Sequence, residues 1–264
     1  MQKIQGLKAG ITMFWKMPKG KINPKTLGYI RPDGKINFQS EDVALSYAKN
    51  RVMKSKGYER GVVIKDNTII ADIKGSENSV NYRNIDLTDT VIVHNHPVDT
   101  VISLDDAVCL LKGNAKKMVA FNTKGQYSQL TLLPEIRRLD SSWREWLITK
   151  LNEERKKIAE KCLEDLGEQS IPQKISQIFY NADEKLTSTI LKWLKKREEN
   201  LIADTSEFPK EIRPFFDHVN DVEEKCIPLQ SKYTHDLFSK SDNKFGFKYE
   251  TNYSDSFIKS DNNL

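Results

Sequence analysis

Along the first half of the chain, short β-prone apolar runs alternate with segments whose apolar residues recur at helical spacing. Residues 29–30 and 36–38 flank Pro32-Asp33-Gly34, a hairpin turn signal. Ser40 then suits the cap of a helix, because Glu41 and Asp42 fall at the positive end of its dipole. Val43, Ala44, Tyr47, Ala48 and Val52 share one face of that helix. A second hairpin is predicted from residues 61–65 and 68–73, turning at residues 65–67. Thr90-Val91-Ile92-Val93 is β-branched and suits a buried strand. Ser103 opens another helix, with Ala107, Val108, Leu110 and Leu111 as its apolar positions. Two further strands, residues 118–121 and 127–132, surround Lys124-Gly125. The alternation predicts an α/β unit over residues 28–133, preceded by an extension, residues 1–27.

Beyond Pro134 the period changes. Trp143, Leu147, Leu151, Ile158, Cys162 and Leu166 mark one amphipathic helix, which residues 167–172 interrupt. Ile175, Ile178, Phe179, Ala182, Leu186, Ile190, Trp193 and Leu194 mark a second. Residues 134–200 therefore read as a helical hairpin packing on the α/β unit or on a partner, with residues 140–200 as a surface for another protein or a second copy. Residues 201–264, rich in Ser, Asp, Asn and Lys, read as a polar, partly disordered tail.

Composition narrows the class. At 264 residues and 38% hydrophobic, the chain is too little biased to be collagenous, mucin-like or fully disordered. No apolar run approaches the roughly 18 residues a membrane helix needs. The first residues lack an apolar core followed by a cleavage site, so a cytoplasmic protein is expected, in a bacterial or phage-infected cell, or in a host cell if it is a translocated effector. Cys109, Cys162 and Cys226 are far apart, which argues against a disulfide framework or a four-cysteine zinc site. The net charge of +5 is uneven: residues 1–58 carry 12 Lys and Arg against 3 acids, and the rest carry 30 against 34. A basic start of this kind is a solvated surface, or it meets nucleic acid or an acidic partner.

The chemistry lies in Val91-Ile-Val-His94-Asn95-His96-Pro97, followed by Ser103-Leu-Asp-Asp106. Residues two apart on a strand face the same way, so His94 and His96 can reach one ion. Pro97 ends the strand. Asp106 falls in the first turn of the next helix, where its carboxylate can fold back towards both imidazoles. Two His and one carboxylate with an open fourth position is a catalytic zinc arrangement, and such an ion lowers the pKa of its water to roughly 7. Hydrolysis also needs a proton carrier, for which Glu59, at the start of the preceding hairpin, is the candidate.

Glu59, His94-x-His96-Pro97 and Ser103-x-x-Asp106 together resemble the JAMM motif (also called MPN-plus or JAB-type) of zinc metallopeptidases. The local style is most similar to prokaryotic and phage members, including RadC-like proteins and domains attached to phage head-morphogenesis proteins. The resemblance covers about residues 28–132. It implies a JAMM-like mixed sheet with flanking helices, one zinc per chain held by His94, His96 and Asp106, Glu59 as general acid/base, and Ser103 holding the oxyanion or the water. It also implies hydrolysis of peptide or isopeptide bonds in a protein substrate, such as removal of ubiquitin or a ubiquitin-like modifier, or processing of a phage protein. The six residues from Pro97 to Ile102 are one fewer than the family's usual spacing, which leaves Asp105 and Asp99 as alternative ligands.

Other readings stand beside this one. Ser103 and Asp106 also form a capping-box pair, sufficient in itself to explain both. Cys109 reads as a small buried hydrophobe. Asp217, His218 and Asp221 read as a solvated acidic turn rather than a second metal site. A non-catalytic JAMM-like assembly module is the alternative function. A metal-dependent nuclease is a minor one, since Ser-x-x-Asp has no role in HNH endonucleases.

Overall fold

The computed structural model describes residues 28–30, 35–168, 178, 182–198, 205–210, 212–240 and 245–253. Its centre is a mixed sheet of eight strands in the order β1-β2-β4-β3-β5-β6-β7-β8. The strands are β1 (Gly28–Ile30), β2 (Ile36–Phe38), β3 (Arg60–Lys65), β4 (Thr68–Lys74), β5 (Val91–Asn95), β6 (Lys117–Phe121), β7 (Tyr127–Leu132) and β8 (Phe247–Thr251). Neighbours are antiparallel except β5 and β6. Between these two runs α2 (Leu104–Gly113), the crossover that a parallel pair requires.

Local chemistry sets the turns and helix starts. Asp66 and Asn67 both have positive φ, 49° and 61°, as a two-residue hairpin twisting with its strands demands. Ser40 caps α1 (Glu41–Val52) by accepting from the Val43 amide. β5 is buried along its whole length, which is why it reads as an almost unbroken apolar run. On one face of the sheet, Ala44, Ala48 and Val52 of α1 pack on Val62, Ile64, Val91, Val93, Val119 and Phe121. On the other, Ala107, Leu110 and Leu111 of α2 pack on Val63, Ile92, Met118, Ala120 and Leu130. Each buried Val, Leu, Ile, Met or Phe side chain among these contributes about 1.5–3 kcal/mol, so the two layers hold β5 between them.

After the short α3 (Pro134–Arg137), the long α4 (Ser141–Asp165) lies against α2, with Leu147 and Leu151 in the same core. Trp143, expected on its apolar stripe, is exposed and packs edge-on against Trp146. The expected pairing of α4 with the next helix is not the arrangement seen among the described residues. The C-terminal half of α4 instead packs Ile158 and Cys162 on Val222 and Cys226 of α6 (Arg213–Lys240), while Ile190 and Trp193 of α5 (Glu184–Glu198) pack on Phe216 and Val219 at the start of α6. A 28-residue helix presents enough apolar surface to take both neighbours.

Helix α6 and strand β8 correct the reading of residues 201–264 as a polar tail. Phe216, Val219, Val222, Cys226 and Phe238 in α6 and Phe247 in β8 are buried, although polar residues separate them in the sequence and Ile227 of α6 is exposed. Burial against distant elements, rather than local composition, determines their structure. Pro32-Asp33-Gly34, Ile175, Phe179 and residues 1–27 lie outside the described residues. No helix among the described residues is long and apolar enough to cross a membrane.

Candidate metal centre

His94 and His96 leave the end of β5 on the α2 side of the sheet, and the first turn of α2 brings Asp106 between them. The two Nε2 atoms stand 3.0 Å apart. Asp106 Oδ1 lies 3.3 Å from His94 Nε2, and Oδ2 lies 3.4 Å from His96 Nε2. Ligands at about 2.0–2.1 Å from a tetrahedral zinc are separated from one another by about 3.3–3.4 Å. The two imidazoles each face a different oxygen of the carboxylate, and one donor atom from each residue lies within 4.8 Å of the others, close enough to share one ion. Among the described residues this trio is the one group of His, Cys, Asp and Glu so arranged.

Hydrogen bonds hold two of the three ligands. Asp106 Oδ2 accepts from the Ser103 amide (2.8 Å) and the Ser103 hydroxyl (2.7 Å), while the Asp106 amide donates back to Ser103 Oγ (3.0 Å). This capping box fixes the carboxylate through the start of α2. His96 Nδ1 is 2.9 Å from Thr100 Oγ1 and 3.3 Å from the Thr100 carbonyl. In the tautomer that leaves Nε2 as an acceptor, Nδ1–H donates to Thr100, the outer contact that typically orients a ligating imidazole. His94 Nδ1 is buried with no hydrogen-bond partner among the described residues, so the polar contacts of that ring are made through Nε2.

Glu59 joins the trio through strand register. β3 and β5 are antiparallel with Gly61 opposite His94, and continuing that register by two residues sets Glu59 opposite His96 on the same face. The regular ladder ends there, and the Asn95 side chain takes over: Oδ1 accepts from the Arg60 amide (2.8 Å) and Nδ2 donates to the Tyr58 carbonyl (3.0 Å). Glu59 itself exchanges backbone hydrogen bonds with Gly75 and Ser76.

Glu59, His94, His96 and Asp106 share one wall of a cleft of about 670 Å³. Residues 78–80, 97, 98 and 100–105 also line it, with Ile158 of α4 and Gln230 and Thr234 of α6.

The charges are mutually adjusted. Burial pulls the His94 imidazole down, but the Asp106 and Glu59 carboxylates outweigh it, and its pKa is raised. Burial pushes Asp106 up, but both histidines outweigh it and hold its pKa well below the usual carboxylate range. For Glu59 burial prevails over the two histidines, and its pKa is raised. A carboxyl of raised pKa beside a cation site can both accept and return a proton.

The alternative ligands are held by other partners. Asp99 pairs with Lys124 (2.5 Å) and Thr123 (2.9 Å). Asp105, on the exposed side of the helix start, pairs with Arg155 of α4 (2.8 Å). Cys109 lines the cleft, but burial pushes its thiol up to about 12, so at neutral pH it is a protonated thiol rather than a ligand. His218 pairs with Glu168, Asp217 with Thr205 and Asp221 with Lys225, and these three form no common site.

The sequence pattern brings out His94, His96 and Asp106 as candidate ligands and the Ser103 cap, but not the long-range contacts that position them. Asn95 was visible inside the His-Asn-His triplet, yet its role depends on a partner strand 35 residues away. The loop from His96 to α2 is pinned by Ser128 (to the Ile102 amide, 2.6 Å), Ser231 of α6 (to the Val101 amide, 3.0 Å) and Tyr253 beyond β8, whose hydroxyl donates to the Thr100 carbonyl (2.8 Å). Tyr253→Phe removes the last of these. It is expected to leave the fold intact and weaken zinc binding about tenfold, at the lower end of what loss of a supporting contact costs. Competition against a chromophoric chelator measures it.

Comparison with known protein families, with curated proteins and with solved structures finds no match to this chain.

Proposed function

We propose that the chain is a zinc-dependent hydrolase of peptide or isopeptide bonds, acting on a protein substrate through a JAMM-like domain. The observation that carries this reading is the convergence of His94, His96 and Asp106 on one point, with the Glu59 carboxyl of raised pKa lining the same open cleft. A zinc ion held by His94, His96 and Asp106 would supply Lewis-acid chemistry, polarising an amide carbonyl and making water acidic near neutral pH.

The rest falls to the chain's own side chains. Glu59 takes a proton from the attacking water and returns it to the departing amine nitrogen, and its raised pKa suits both transfers. Thr100 and Ser103 keep His96 and Asp106 aimed at one point. Asn95 holds the Glu59 segment across from His96.

The test is a screen of the zinc-loaded full chain against fluorescence-quenched peptides and lysine-isopeptide substrates. The reading predicts cleavage that a chelator abolishes and zinc restores. One bound zinc with no cleavage of any substrate would favour the assembly module. Cleavage of plasmid DNA in place of peptides would favour the nuclease.

A further inference from the structure

Tyr82, in the segment between β4 and β5, lines the same cleft as Glu59, His94 and Asp106. Its hydroxyl oxygen is buried and has no hydrogen-bond partner among the described residues. Buried polar groups without partners are rare because they cost stability, and one on the wall of a cleft marks a donor that a bound group completes. Burial, reinforced by Cys109, Asp106 and Glu59, holds the phenol well above the usual tyrosine range, so it keeps its proton and can donate. Gly61 makes room for it. That residue faces the same way as His94 across the β3–β5 pair, and a Cβ there would collide with the Tyr82 hydroxyl oxygen.

The Ser103 hydroxyl is already engaged. Ser103 donates its one hydroxyl hydrogen to Asp106 Oδ2 and accepts from the Asp106 amide, so turning it towards a substrate would break the box that holds the ligand.

We propose that Tyr82, rather than Ser103, donates the hydrogen bond that stabilises the substrate's carbonyl oxygen as it becomes tetrahedral. This rests on the hydrolase reading above and adds a catalytic residue to it. The water oxygen bonds to the carbonyl carbon, and the carbonyl π pair moves onto its oxygen, which accepts the hydrogen bond from Tyr82 without taking the proton. Glu59 takes one proton from the water. When the C–N bond breaks, the pair on oxygen re-forms the carbonyl, and the amine leaves with the proton that Glu59 carried. Ser103 is thereby a positioning residue that acts through Asp106.

The experiment compares wild type, Tyr82→Phe and Ser103→Ala as full chains, using a quenched substrate that wild type cleaves. For Tyr82→Phe, kcat is expected to fall about 100-fold, within the range for loss of one oxyanion donor, with KM and the single bound zinc unchanged. Because the deleted hydroxyl has no partner, zinc-free Tyr82→Phe should unfold in urea at the same or a higher midpoint than wild type. Ser103→Ala should bind zinc more weakly yet regain most of its kcat at saturating zinc. Unchanged kcat in Tyr82→Phe would overturn the proposal. So would a lowered urea midpoint, which would make the hydroxyl structural. Failure of wild type to cleave any substrate would instead overturn the hydrolase reading, while the urea midpoint still reports whether the Tyr82 hydroxyl lacks a partner.

Discussion

His94→Ala is expected to eliminate the bound zinc and with it all hydrolytic activity. It removes one of three ligands, so the loss of affinity should exceed the ~10–100-fold that loss of a supporting residue costs. Metal content after dialysis, read by atomic emission, should fall from one zinc per chain to none, with the same result for His96→Ala. The wild-type site should also show a marked pH dependence. His94 has a raised pKa, held up by Asp106 and Glu59 against burial, so below that value zinc must displace a proton and binds more weakly as the pH falls.

The stability of zinc-free protein has the complementary sign. The His94 contribution is fully present below the unfolded imidazole pKa of about 6.5 and is lost as pH rises through the raised folded value. The Asp106 contribution, from a pKa held well below normal by the two histidines, is present above about 3.8 and is lost as pH falls through the depressed value. Zinc-free chain should therefore be most stable between about pH 4 and 6.5, and the stabilisation conferred by zinc should grow above that window. Urea midpoints with and without zinc, taken at intervals from pH 4 to 8, would show it.

Glu59→Gln is expected to retain zinc and lower kcat by about 10²–10⁴, the usual contribution of a positioned proton carrier. The amide keeps the shape and most of the hydrogen-bonding capacity of the carboxyl but cannot carry the proton. Because burial raises the Glu59 pKa, its base form, and wild-type activity with it, should decline as pH falls through that raised value. The residual rate of the glutamine variant should lack that decline. Zinc-free Glu59→Gln should be no less stable than wild type at neutral pH, since it exchanges a partly buried charge for a neutral group. Full activity in the variant with zinc bound would remove Glu59 from the chemistry.

Much of this site is legible in the sequence because it is short-range. A period of two puts His94 and His96 on one face, Pro97 ends the strand, and a Ser-x-x-Asp pair at a helix start folds the carboxylate back. Other features depend on contacts that no local pattern encodes. Glu59 reaches the site only because β3 lies beside β5 in one register, which the side chain of Asn95 extends past the end of the ladder. The choice of Asp106 over Asp105 and Asp99 follows from the cap geometry and from the partners Arg155 and Lys124, which occupy the other two. Ser231 reaches the ligand loop from 130 residues away and Tyr253 from 153. The elements that carry these two were read as tail because their few apolar residues are diluted by polar ones, and only the assembled core shows which of those few are buried.

One zinc ion joining His94, His96 and Asp106 is tested most directly by crystals of the full chain grown with zinc, with diffraction recorded on both sides of the zinc absorption edge. One strong anomalous peak per chain is expected, about 2.0–2.2 Å from His94 Nε2, His96 Nε2 and an Asp106 oxygen. A peak bound by other residues, or zinc-saturated crystals with no peak between the two imidazoles, would contradict it.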